Sequence, residues 1–342
     1  MTGNRSVLLS ICIPTFNRLE CLENCLESIK IANEKHKFNF EVCITDNNPD
    51  GTAKSLYKKY SEFFLINYKI NSTNIGVGKN IYNSVDRASG TYSWILGNDD
   101  MLLENTFVVL ENLFNENQDV DFFFINSYSV SSDLILGNSE FKINNIVSKA
   151  DKFSKLNSSS KVKFSQLIDH NVSWDFLLGI FLSIFNTNKW KNNKHIVKLD
   201  QVADSRFYTN KYNTFPHIFV FAKAFMNSNA YIQHKPLTIN MIGKREWAYL
   251  YPLIEAVRIP QVLDVYRQFG LPYIKYLKEK NFALRRFLPG FFKMFFLKKT
   301  DGFKYIDFYN DIIKNIYFPS IYYYGIFYFF LKIYRIIIRS II

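Results

Sequence analysis

Residues 92–101 read YSWILGNDDM. An apolar run rich in β-formers leads straight into two adjacent carboxylates, Asp99 and Asp100. Like charges side by side repel, and a cation close to both removes that penalty. The run predicts a buried strand over 91–97 with the two acids at its carboxyl end. In open α/β sheets, ligands bind beyond the carboxyl ends of the strands.

Working outward, VLLSICIP (7–14), FEVCITD (40–46), LINYKI (65–70) and VDFFFINSY (120–128) read as further strands. Between them, Leu19, Leu22, Leu26 and Ile29 recur at helical spacing in 17–32, and 52–63, 76–89 and 103–116 also read as helices. This alternation predicts a mostly parallel, doubly wound sheet. Three polar groups then fall at strand carboxyl ends: Thr15, Asn17 and Arg18; Asp46, Asn47 and Asn48; Asn98, Asp99 and Asp100. Polar residues gathered on one sheet edge are what a nucleotide crevice requires. Farther on, the Ser-rich stretch 148–165 reads as a mobile connection or lid, 215–226 as a buried helix and 230–240 as an extended segment.

The 342 residues suffice for one large or two modest domains. With 48% apolar and 21% charged residues, the chain belongs to the folded globular class. All four cysteines, Cys12, Cys21, Cys25 and Cys43, lie in the first 43 residues without a Cys-x-x-Cys pair, which predicts buried reduced thiols rather than a disulfide or zinc site. The N-terminal apolar run is too short for a secretory signal and is broken by Pro14. Net charge is +12, and residues 275–342 carry 13 Lys and Arg against 4 Asp and Glu. That asymmetry points the C-terminal part toward an anionic surface.

The segments SICIPTFNR (10–18), EVCITDNNPDGT (41–52), NIGVGKN (74–80) and ASGTYSWILGNDD (88–100) stand in the order and spacing of the family 2 glycosyltransferases with a GT-A fold, which this chain resembles. The later SIFNTNKW (183–190) and FPHI (215–218) resemble the abequosyltransferase-like branch, enzymes of bacterial surface polysaccharide such as O-antigen or capsule. The resemblance implies a Rossmann-like, doubly wound mixed sheet with a nucleotide-sugar-binding half (1–128) and an acceptor-binding half (129–245). Composition adds a helical, basic and aromatic C-terminal extension, a membrane-associating region over 246–342.

By the same resemblance, a nucleotide-diphosphate sugar is the donor, with Pro14, Thr15, Asn17, Arg18, Asp46, Asn48, Asn74, Gly76, Asn80 and Asp99 around it. Asp100, with Asp99, would hold a divalent cation, Mg²⁺ or Mn²⁺, in a DXD-like motif. The family often has one more acid earlier in this motif, where this chain has Gly97 or Asn98. A carboxylate at Asp46 suits a ring N–H or exocyclic amine of uracil, guanine or cytosine. Arg18 suits phosphate oxygens, and glycines ahead of a helix suit an anion. An inverting transfer also needs a base for the acceptor hydroxyl. Asp204 is the first choice among Asp175, Asp200, Asp204, His170 and His217; His217, set among apolar residues in FPHI, reads at least equally as a buried, hydrogen-bonded core histidine. Trp174 and Trp190 could stack on sugar or fill core.

Two C-terminal segments, 281–299 and 316–342, mix Phe, Tyr, Leu and Ile with Lys and Arg. The apolar stretch from Ile316 to Leu331 contains Pro319 and falls short of the ~20 residues a span needs. It predicts an interfacial helix pair on the anionic inner leaflet of the bacterial membrane, at its cytoplasmic face, ahead of a core helix pair and of a tilted transmembrane tail. The tail is too apolar for a nucleic-acid surface. Two functions follow: an inverting glycosyltransferase acting on a glycan or lipid-linked acceptor, or a GT-A-fold membrane scaffold in a polysaccharide assembly complex with its chemistry lost.

Overall fold

The computed structural model describes residues 6–136, 147–148, 150–202, 208–243, 248–296 and 301–341. The chain divides into two compact units. One comprises Met1–Ser205 with Phe215–Lys244, the other Arg206–Thr214 with Arg245–Ile342.

The first unit is built on a ten-stranded sheet. Its strands are β1 (Leu9–Thr15), β2 (Phe40–Asp46), β3 (Ile66–Ile70), β4 (Tyr92–Ile95), β5 (Asp100–Leu102), β6 (Phe122–Ser131), β7 (Asp151–Lys152), β8 (Ser160–Lys163), β9 (Ser183–Asn186) and β10 (Asn229–Ile242). The main path runs β3-β2-β1-β4-β9-β6-β10-β5. β1 pairs in parallel with β2 and β4, and β2 with β3. The helices α1 (Leu19–Lys35), α2 (Lys54–Tyr60), α3 (Val77–Asp86) and α4 (Thr106–Glu116) connect these strands. β2 is buried at every position, as expected of a strand covered on both faces.

Beyond β4 the sheet turns mixed. β9 inserts antiparallel between β4 and β6, β10 runs parallel to β6, and β5 is antiparallel to β10. The aromatic excess is concentrated here. Phe122 lies 4.8 Å from Phe164 and 4.9 Å from Phe221, and Phe185 stacks 4.9 Å from Trp190. Helix α5 (Thr187–Asn193) carries Trp190, and α6 (Pro216–Phe225) carries Phe221. The four cysteines are free and buried.

The Ser-rich stretch expected as a mobile connection is instead tied to the sheet. β7 pairs with β6 and β8 with β10. Between them, Asn126 accepts from Ser154 N at 2.9 Å and donates to Ser154 O at 2.9 Å, so a side-chain amide does the job of a backbone partner. Polar composition hid this because the pairing uses backbone groups, which every sequence carries.

The second unit is helical: α7 (Ile259–Gln268), α8 (Tyr273–Ala283), α9 (Phe287–Phe296) and α10 (Pro319–Ile341). Arg258 organises one end, donating to the carbonyls of Tyr208, Thr209 and Tyr305 and to Gln261 Oε1. Burial pulls its guanidinium down to about 10. Buried Lys280 grips both oxygens of Asp264 at 2.7 Å. At Gly325 of α10, a Cβ would run into the side chain of Leu288 on α9, so any larger residue there would push Leu288 aside. Among the described residues no helix is long and apolar enough to cross a membrane.

Candidate active site

β1, β2 and β4 are parallel, so their carboxyl ends open on one edge. Thr15 and Asp46 are the last residues of β1 and β2 and stand opposite one another. The chain leaving β4 turns through Gly97, Asn98 and Asp99 into β5, with Asp100 N bonded to Gly97 O at 3.1 Å.

The two acids are held differently. Asp100 is 1% exposed. Its Oδ2 accepts from Gly97 N at 2.7 Å and its Oδ1 from Asn240 Nδ2 at 2.8 Å. Asp99 is paired with Arg18, Nη1 to Oδ2, at 2.9 Å. A Cβ built on Gly97 would lie 2.6 Å from Asp99 Oδ1 and 2.9 Å from Asp100 Oδ2. Glycine thus leaves a small cradle onto which one oxygen from each acid converges. Hard carboxylate oxygens facing one space are a donor set that suits Mg²⁺ or Mn²⁺. Asn98 bridges β1 and the acids: its Nδ2 donates to Thr15 Oγ1 at 2.9 Å and its Oδ1 accepts from Arg18 Nη1 at 3.4 Å.

Around the acids runs a linked set of amides. Asn17 sits in the left-handed region (φ 52°), which asparagine tolerates, and its Oδ1 accepts from Asn48 Nδ2 at 2.5 Å. Asn80 donates to the carbonyls of Thr15 and Thr45. Asn74 Oδ1 accepts from Asn47 Nδ2 at 2.7 Å and from Gly76 N at 3.0 Å. Gly76 (φ 80°) then leads into α3. Pro14 is half-buried beside Thr45 in the β1–β2 register. Asp46 is 0% exposed. Its Oδ1 accepts from Asn48 N at 3.0 Å, and its Oδ2 from Ala53 N and Tyr68 Oη, both at 2.9 Å. Burial, with Asp46 adjoining, pushes the Tyr68 hydroxyl up, which keeps it a donor. Burial, with Asp100 and Asp99 adding to it, also pushes the Cys25 thiol well up, so it stays an inert packing group.

The residues expected around the donor therefore meet on one edge and are joined by hydrogen bonds. Sequence reasoning missed Asn240, Tyr68 and Asn71; Asn71 donates to Asn47 and Asn80. The base candidates are dispersed. Asp204 lies outside the described residues. His217 is 3% exposed. Its Nε2–H donates to Leu177 O at 3.2 Å, while Nδ1 is buried without a hydrogen-bond partner. Burial lowers it to about 4, so it is neutral at pH 7. Leu177 and Phe176, both buried, have φ of 69° and 56°, strained values for these residue types. Asp175 closes this turn, accepting from Ser173 Oγ and from Gly179 N, and burial raises it to about 6. Trp94 Nε1 donates to Phe181 O at 2.8 Å, which fixes the turn beside the carboxyl end of β4. Asp200 is exposed on a short helix. Trp190 is buried in the core, whereas Trp174 is 44% exposed.

A family model described as Glycosyl transferase family 2 matches residues 10–200, more than half of the chain. Abequosyltransferase RfbV of Salmonella typhimurium is 40% identical over 118 residues, 33% of this chain and 34% of that protein. A GalNAc(5)-diNAcBac-PP-undecaprenol beta-1,3-glucosyltransferase of Campylobacter jejuni is 33% identical over 115 residues, 32% of this chain and 35% of that protein. The chain thus spans about a third of the length of the curated relatives it matches. Among solved structures, TarS 1-349 of S. aureus, crystallised in one case with UDP-GlcNAc, superposes with a TM-score of 0.54 at 17% identity, over 84% of this chain and 73% of that one. The mannosyltransferase PcManGT of Pyrobaculum calidifontis, in complex with GDP-Man and Mn²⁺, gives 0.51 at 12% identity, over 84% and 74%. These likenesses show that the fold is GT-A.

Proposed function

Since the chain belongs to glycosyl transferase family 2, we propose that it moves one sugar, with inversion, from a nucleotide-diphosphate sugar to a lipid-linked glycan in bacterial surface polysaccharide synthesis, working at the cytoplasmic face of the membrane. The single observation that carries this reading is the convergence of Asp99 Oδ1 and Asp100 Oδ2 on the space at Gly97. A divalent cation held there would take up negative charge on the departing diphosphate.

The chain's own groups supply the rest. Arg18, half-exposed and already paired with Asp99, reaches phosphate oxygens by exchanging or sharing that partner. Thr15, Asn17, Asn48, Asn74, Gly76 and Asn80 shape the nucleoside and diphosphate crevice, with Pro14 at its wall. Asp46, 0% exposed, holds the Asn48 and Ala53 amides and the Tyr68 hydroxyl of the loop against which the base lies, rather than meeting the base itself. Asp204 takes the proton of the acceptor hydroxyl. His217, neutral and bonded to Leu177, supports the strained turn at Asp175 rather than meeting the acceptor itself. Exposed Trp174 offers a face for an acceptor sugar.

The relatives support the substrate class, one an abequosyltransferase and the other a glucosyltransferase named for an undecaprenol-diphosphate glycan. A thermal-shift panel of UDP-, GDP- and CDP-linked sugars, with Mg²⁺ or Mn²⁺, tests the reading. A cognate donor at 100 times its dissociation constant stabilises by about 2.7 kcal/mol. Asp100→Ala should abolish the metal-dependent part of the shift and the transfer. If no nucleotide diphosphate binds with metal present, the scaffold function replaces this one.

A further inference from the structure

Between α9 and α10 lies an apolar groove of about 330 Å³. Phe291, Phe292 and Phe295 form one wall, Tyr328 and Phe329 the other, with Gly325 at the floor. Phe292 and Tyr328 meet edge to face across it, with ring centroids 6.2 Å apart. We propose that this groove receives the isoprenoid chain of the lipid-linked acceptor. The assignment rests on the acceptor reading above and adds a site to it.

Chemistry selects the occupant. The walls offer almost no polar atoms, so an extended peptide laid in the groove would bury amides without partners, at a cost of roughly 1–3 kcal/mol each. A hydrocarbon chain carries no such groups. At roughly 30 Å³ per water-sized group, the volume holds about ten carbons, or about two isoprene units. That matches one branched chain lying along the helices rather than a helix or a loop. Residues 275–342 hold a surplus of nine positive charges, which complements the diphosphate that heads such a lipid. Lys293 lies on α9 itself, between Phe292 and Phe295 in sequence. Around the groove the apolar surface continues through Phe296, Phe327 and Phe330, all exposed. A contiguous apolar patch on a unit with this charge marks an interaction surface.

The test uses the full chain and a diazirine-bearing farnesol, which has no diphosphate to enter the donor crevice. Irradiation should place adducts within 287–296 and 319–329, and unlabelled farnesol should displace them. Phe295 and Phe329 are 62% and 61% exposed, so Phe295→Glu with Phe329→Glu can fold normally. An unchanged melting shift with nucleotide sugar checks that it does. The double variant should lose about tenfold in labelling and show an about tenfold higher KM for a farnesyl-diphosphate-linked glycan but not for the methyl glycoside, with kcat kept. Labelling that is unchanged, or that falls elsewhere on the chain, overturns the assignment. Dimerisation that shields the groove overturns it in favour of a second copy. Equal KM for the farnesyl acceptor in both proteins sinks the groove alone. Failure of the unaltered chain to use any prenyl-linked acceptor, while it still transfers to a free glycan, sinks the acceptor reading with it.

Discussion

Asn240 Nδ2 donates to Asp100 Oδ1 at 2.8 Å, joining residues 140 positions apart in the chain. The two stand opposite one another in the antiparallel β5–β10 ladder, so sheet register itself aims the amide at the acid. Partners that orient a metal-binding carboxylate typically change metal affinity by 10–100-fold when removed. Asn240→Ala should therefore weaken Mn²⁺ binding by about tenfold, read by calorimetry in the presence of a nucleoside diphosphate, with little loss of nucleotide affinity at saturating metal. An unchanged Mn²⁺ affinity would show that Gly97 N alone orients Asp100.

Gly97→Ala tests the cradle more directly. The added methyl would lie 2.6 Å from Asp99 Oδ1 and 2.9 Å from Asp100 Oδ2, too close for either to stay. Metal-dependent stabilisation by the donor should vanish while the fold is kept, because the added group displaces only side-chain oxygens. Circular dichroism beside the thermal-shift panel separates these outcomes. A variant that keeps its metal response contradicts the placement of the ion.

Two buried groups make opposite contributions to stability against pH. His217 falls from its ordinary 6.5 to about 4 in the folded chain, so its contribution is complete above pH 6.5 and is lost as pH falls toward 4. Asp175 rises from 3.8 to about 6, so its contribution is complete below pH 3.8 and is lost as pH rises through 6. Between pH 4 and 6 they largely offset. His217→Phe removes the first and should make the chain gain stability, relative to the parent, as pH drops from 6.5 to 4.5. Asp175→Asn should do the reverse. Each swing is on the order of 2–3 kcal/mol, since one pKa unit is about 1.4 kcal/mol. Melting temperatures at pH 4.5, 5.5 and 6.5 decide it; parallel curves for parent and variants would refute both assignments.

Glu41 lies at the opposite edge of the sheet, buried, and accepts from Ser10 Oγ, Ser89 N and Ser89 Oγ. Ser10 in turn accepts from Gly90 N at 2.9 Å. Glu41→Ala strands these donors and should lower stability by about 2–4 kcal/mol. A urea midpoint within error of the parent would mean that water replaces the carboxylate.

That lock also shows what the sequence could and could not convey. The motif ASGTYSWILGNDD reads as one functional signature, yet Ser89 and Gly90 fasten the amino edge of β4 while Asp99 and Asp100 stand at its carboxyl edge. Thr15, Asp46 and Asp99 were legible because each ends an apolar run, and the parallel alternation puts such ends together. Asn240 gave no local signal, since its role comes only from pairing with a three-residue strand, β5, too short to read. β9 was hidden for the same reason: SIFN is four residues, and its place between β4 and β6 is set by Phe185 packing on Trp190, not by propensity. The apolar neighbours of His217 already allowed a buried core histidine beside a base, and the packed fold decides for burial.

The hold of Arg258 on Tyr208 and Thr209 bears on how this chain can be shortened. Those two residues precede α6 and β10 in sequence, yet they fold with the helices that follow β10. Cutting after residue 244 would leave them stranded mid-chain, with their carbonyls bereft of the guanidinium. A shortened chain ending at 244 therefore keeps its fold intact only if the excursion at 208–209 is given another partner for those carbonyls.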